Sequence, residues 1–131
     1  MRLFAPQVKI REYTNFAGVA YLETTSGIML NTSLVTTGIA HLYDLSSATP
    51  HTEVYGSGTL ESATFMYDTV QTDKYANHLP GGQGYNFLYI LEASEYQMLG
   101  GRQYRLEFLA STGSYGTFAM VWNITIGEMY S

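Results

Sequence analysis

Three histidines and eleven acidic residues are the side chains of this sequence with the means for acid–base or metal chemistry; cysteine is absent. His41 and Asp44 fall near His51 and Glu53, four groups that could ligate a metal if they converged at about 2 Å from one point. Their spacing argues against it. His41 lies in a strand pattern, His51 and Glu53 in a loop, and no HxH or HExxH arrangement sets them on one face. His78, in Tyr75-Ala76-Asn77-His78-Leu79-Pro80, has no neighbouring nucleophile and reads as a loop contact. A serine triad needs its Ser presented by the fold, and Gly56-Ser57-Gly58 is too short to be a nucleophile elbow. Asp68 with Asp73, or Glu92 with Glu95, have the chemistry of a glycosidase pair, but their separation is a property of the fold, and solvated charge is the simpler reading. Gly81-Gly82-Gln83-Gly84 precedes a strand where a phosphate cradle would open a helix, so it reads as a flexible turn. The sequence therefore predicts no catalytic residue, no cofactor and no metal.

Composition points instead to contact. Charged residues make up 13% of the chain, about half the usual share of roughly 25%. Aromatics make up 15%, with twelve tyrosines. A tyrosine carries an apolar ring and a hydroxyl that tolerates water, so it serves half-buried sheets and contact surfaces alike. The net charge is −5 and the six Lys and Arg residues form no cluster, which argues against nucleic acid. No run approaches membrane-spanning length and the first residues lack an apolar signal core, so the expectation is a chain made and folded in a cytoplasm, with no membrane partner. On that expectation the glycosylation-like triplets Asn31-Thr32-Ser33 and Asn123-Ile124-Thr125 carry no meaning.

The elements that must position any site read as strands. Tyr104, Leu106 and Phe108 alternate with Gln103, Arg105 and Glu107; Phe118, Met120, Trp122, Ile124 and Ile126 alternate with smaller or polar neighbours. Both runs have the period of two that puts one face inward. The glycine-bearing loop 111–116 joins them as an antiparallel hairpin. Residues 85–91 are apolar on both faces, so the strand is either covered on both sides or meets a partner. Further strands are expected at residues 34–45 and 60–70, the latter with Ala63, Phe65 and Tyr67 on one face. Val8 and Ile10 mark another, and residues 16–23 and 27–32 a second hairpin. Residues 92–99 have short-helix composition but suit a connection between strands. Residues 46–58 and 72–84 read as long polar loops, a length that goes with function or disorder. The sum is one domain over residues 1–131, an all-β antiparallel two-sheet sandwich of seven or eight strands, immunoglobulin-like or jelly-roll-like.

Two resemblances add to this. Met98-Leu99-Gly100-Gly101-Arg102-Gln103-Tyr104 resembles the entry to strand F of fibronectin-III and other immunoglobulin-like domains. There a Gly and a Tyr at the spacing of Gly101 and Tyr104 form a tyrosine corner, with Met98 here replacing Leu. The resemblance implies structural roles for Gly101 and Tyr104; Trp122 is expected to be buried in the core. The order Tyr67-Asp68, Gly84-Tyr85-Asn86-Phe87, residues 101–108 and Gly116-Thr117-Phe118 is similar to small cysteine-free structural proteins of tailed phages. That likeness implies a non-enzymatic virion protein. The favoured expectation is a capsid decoration or cement subunit, made in the host cytoplasm, homo-oligomeric, and bound to a capsid or tail protein of the same virion. The alternatives are a tail, baseplate or fibre module that binds carbohydrate, and a small glycan-processing enzyme. Six aromatics, Phe4, Tyr75, Tyr85, Tyr89, Tyr115 and Tyr130, exceed what one core absorbs. The expected partner contacts are Leu3 and Phe4, on an N-terminal arm of residues 1–6, and Tyr75, Asn77, His78 and Leu79 in the second long loop.

Overall fold

The computed structural model describes residues 2–4, 7–11, 14–46 and 52–127. Among them are ten strands and no α-helix: β1 (Arg2–Phe4), β2 (Gln7–Arg11), β3 (Phe16–Ala20), β4 (Val35–Asp44), β5 (Thr52–Gly56), β6 (Leu60–Glu61), β7 (Met66–Gln71), β8 (Tyr85–Leu91), β9 (Gln103–Thr112) and β10 (Thr117–Gly127). They form a two-sheet sandwich. The larger sheet runs β1-β10-β9-β4-β5, with β2 also on β10 and β6 also on β4; the smaller runs β3-β8-β7. The order β10-β9-β4-β5 facing β3-β8-β7 is the order in which an immunoglobulin variable-type sandwich sets G-F-C-C′ against B-E-D. Topology of this kind defines a scaffold and assigns no activity.

Alternation decides which way each strand faces. The hairpin β9–β10 pairs from Thr117 with Ser111 to Thr125 with Gln103. Its inner positions Tyr104, Leu106, Phe108, Phe118, Met120, Trp122, Ile124 and Ile126 are all buried. Phe87 from β8 stacks on Trp122 with the rings 18° apart and 5.9 Å between centroids. Phe108 meets Phe65 and Phe87 edge-on at 4.7 and 4.8 Å. Aromatic contacts of this geometry add to area burial. Gly18 on β3 lets that strand lie against the indole, since a Cβ there would sit 3.0 Å from the Trp122 ring.

Several elements differ from the sequence reading. Residues 60–70 are not one strand. The 3-10 turn Ser62–Thr64 breaks the run, so β6 joins one sheet and β7 the other. Ala63 is consequently exposed and Phe65 buried, although period-two counting put them on one face. The long segments are not plain loops: the first contains β5, and the second folds into the short 3-10 helices Lys74–His78 and Pro80–Gly82. Residues 92–99 form no helix, only a turn in which the Glu95 and Tyr96 N–H groups both donate to the Glu92 carbonyl. Residues 23–29 do close as a small hairpin, with Glu23 bridged to Met29. The antiparallel sandwich also has a parallel margin, because β1 and β2 pair parallel with β10. Arg2–Phe4, expected to precede the first strand as an arm, thus gives its backbone to this domain's own sheet. The side chains of Leu3 and Phe4, and Met1, Ala5, Pro6, His51 and Tyr130, lie outside the described residues.

Candidate functional site

The residues singled out in the sequence fall into three places. The first is the corner before β9. Gly101 has φ of 78°, a left-handed conformation that glycine adopts without strain, and its N–H donates to Ile126 O at 2.9 Å. Tyr104 is fully buried, and its hydroxyl accepts the Leu99 N–H at 3.0 Å, five residues upstream. Beside it the Arg102 guanidinium reaches Asp44 Oδ2 at 2.6 Å, fastening the corner to the end of β4.

The second place is the outer face of the smaller sheet. Here residues 74–82 fold back as a roof. Leu79 is buried and packs with Ala76, Val19, Tyr85 and Leu88 in a second apolar cluster separate from the main core. Tyr75 is half-buried with its ring edge-on to Tyr85, while Asn77 and His78 remain exposed. The roof is anchored by Asp73, whose carboxylate caps the Tyr75 N–H at 3.0 Å and accepts the Tyr85 hydroxyl at 2.9 Å on each oxygen. Burial first, then this carboxylate, pushes the Tyr85 phenol well above its ordinary pKa. Leu79 therefore belongs to this domain's packing. So do Tyr85, which the second cluster buries, and Tyr89, which packs in the main core with its ring 5.2 Å from that of Phe108.

The third place was not legible as a site. On the flank of the sandwich, between the β5–β6 margin and β8, lies an open cleft of about 360 Å³. Tyr55, Ser57 and Leu60 line one wall, Leu88, Tyr89 and Ile90 the other, with Thr64, Tyr67 and Glu95 between them. It exists because the turn at Ser62–Thr64 carries the chain across to the other sheet before it has run alongside the lower half of β8. A hydroxyl relay crosses it: the Tyr89 phenol bonds to that of Tyr55, which donates to the Glu95 carboxylate. Burial is the main cause raising both phenols, so they stay protonated at neutral pH.

The cleft is lined mainly by tyrosine rings, aliphatic side chains and hydroxyls. Its one carboxylate among the lining residues is already engaged by Tyr55. The carboxylates considered as pairs are each held elsewhere: Asp68 by the Thr32 N–H and hydroxyl at 2.9 and 2.8 Å, which lower its pKa, and Asp73 by the roof. Glu92 accepts from Ser94, apart from the Glu95 contact. His41 Nδ1 lies 2.5 Å from Glu53 Oε1 across β4 and β5. Among the described residues no three His, Asp or Glu side chains gather as a metal site would require, and no helix there is long and apolar enough to cross a membrane. No residue pattern points to the cleft, because its lining comes from separated segments. No family model matches the chain, and no curated protein matches it in sequence.

Proposed function

We propose that this chain is a non-enzymatic structural protein of a tailed-phage virion, a homo-oligomeric decoration or cement subunit that binds neighbouring capsid proteins and stabilises their lattice. The observation that supports it best is the cleft: tyrosine rings and aliphatic side chains with protonated hydroxyls, built on a rigid sandwich, and a single, already partnered carboxylate. Such surfaces bind by burying apolar area around a few placed polar groups. A subunit that binds only the assembled lattice adds stability by mass action. The resemblance of the second half of the chain to small phage structural proteins supplies the virion.

The test is direct. Added to particles that lack it, the purified protein is expected to raise their melting temperature and to be visible on them in a density map. No binding to capsids or tails would overturn the reading. The same cleft favours one rival, a tail module binding carbohydrate, because tyrosine faces and a carboxylate acceptor suit sugar rings. Binding on a glycan array with no binding to capsids would put that reading first.

A further inference from the structure

We infer that the cleft is a strand-docking site: an extended peptide segment of the partner adds to the uncovered edge of β8. The inference deepens the binding reading above and rests on the cleft being a contact site. Its basis is the backbone. β7 pairs with β8 at Gln71–Tyr85 and Met66–Phe87, and the pairing then ends. The last bond on that side is from Leu88 N–H to Phe65 O at 2.9 Å. The Phe65 N–H, which a continuing ladder would direct at the Leu88 carbonyl, instead donates to Ser62 O at 3.2 Å.

Alternate residues of a strand turn their N–H and C=O groups to opposite neighbours. On the other side β8 is paired with β3 all the way from Phe87 to Leu91. Since Leu88 faces β7, so does Ile90, and the Leu88 carbonyl with the Ile90 N–H and carbonyl have no ladder partner among the described residues. This open stretch, residues 88–90, is about 10 Å long at the rise of a strand. It forms one wall of the cleft.

An open edge asks for a peptide backbone, and the walls say which side chains suit it. Residues of the added strand that point inward meet Tyr55, Tyr89 and Leu60; those pointing outward meet Tyr67 and Ile90. The favoured segment therefore alternates apolar or aromatic residues, with a Lys, Arg or hydroxyl side chain where Glu95 lies. A second copy of this chain is a poorer occupant, because back-to-back β8 edges bring two Glu95 rims and two chains of net charge −5 together.

The experiment has three parts on the intact protein. Amide exchange in the free protein should show the Ile90 N–H exchanging roughly tenfold or more faster than those of Tyr89 and Leu91. A displayed library of short linear peptides should yield binders that protect Ile90. N-methylation at alternate peptide residues should weaken them by about tenfold or more, while the residues between tolerate it. Thr64→Trp, at an exposed position in the cleft, should block those peptides and leave the melting temperature unchanged. Free-protein protection of Ile90 equal to its neighbours, no peptide binder, or binders indifferent to N-methylation would each overturn the inference. So would binding only by a second copy of the chain. The two readings fail separately. Capsid binding that survives Thr64→Trp keeps the cement reading and removes strand docking; peptide docking without capsid binding does the reverse.

Discussion

Residues 85–87 and 88–91 belong to the same strand, yet their surroundings differ. The first part pairs with β7 and lies under the roof formed by residues 74–82, where Leu79 and Ala76 close over Tyr85. The second part keeps β3 on one side and faces an open cleft on the other. The difference comes from a single event, the crossing of the chain at Ser62–Thr64, which spends on a turn the residues that would have covered the lower edge. A doubly apolar strand is thus covered on its faces along most of its length, and what differs is its edge, paired with β7 at residues 85–87 and open to the cleft beyond Leu88.

The largest effect expected in the upper half comes from Asn86. Its side chain is fully buried and clamps the irregular hairpin after β3, accepting the Leu22 N–H at 2.7 Å and donating to Leu22 O and Leu30 O at 2.8 and 2.9 Å. Asn86→Ala leaves the buried Leu22 N–H and Leu30 carbonyl unpaired, while the Leu22 carbonyl keeps the Leu30 N–H, and should cost about 3 kcal/mol. A urea melt checks it, and a loss below about 1 kcal/mol would mean that water replaces the amide. Next is Leu79→Ala, which removes the centre of the roof. The expected loss is about 2 kcal/mol, at the low end for a buried leucine, because the satellite cluster can collapse. Unchanged stability would return this segment to the role first expected of it, a contact loop.

The fold was legible where one face of a strand is buried, and the site was not. Tyr104, Phe108, Trp122 and Ile126 announce their direction by alternation, because burial on one face leaves its period in the sequence. The corner was legible for a similar reason: Gly101 and Tyr104 are tied by local geometry. The roof left little trace, since two buried residues in a polar segment, Ala76 and Leu79, have no period. Nor does the cleft. Tyr55, Tyr67 and Glu95 come from three separated segments and meet only through tertiary structure, and an uncovered strand edge is a backbone property that residue types do not encode.

A smaller effect is expected at the corner, on the far side of the molecule's logic from either half of β8. Tyr104→Phe removes the acceptor of the Leu99 N–H. Leu99 is 43% exposed, so water can reach that neighbourhood, and the loss should be about 1 kcal/mol or less. A loss of several kcal/mol in the same urea melt would show that the hydroxyl holds the corner without help from solvent.

The smallest effect, absent at neutral pH, distinguishes the two halves by titration. Tyr85 in the roofed half and Tyr89 in the open half are both raised above the ordinary phenol value, burial being the larger cause in each. Tyr96, beside Tyr104, is raised to about 12, again chiefly by burial. Unfolded phenols ionise near pH 10. A folded value above the unfolded one gives stability that is complete below about pH 10 and is lost as pH rises through the folded value. Denaturant midpoints should therefore be flat up to about pH 10, as far as these groups decide it, and fall above it. Phenolate absorbance should appear later in the folded chain than in urea. The comparison is sharpened by repeating the titration on Leu79→Ala. Opening the roof admits water to Tyr85 and should bring its titration down, while Tyr89, held by Tyr55 in the cleft, should not move. If both tyrosines shift together, the two halves of β8 are coupled, and the cleft is not independent of the cluster above it.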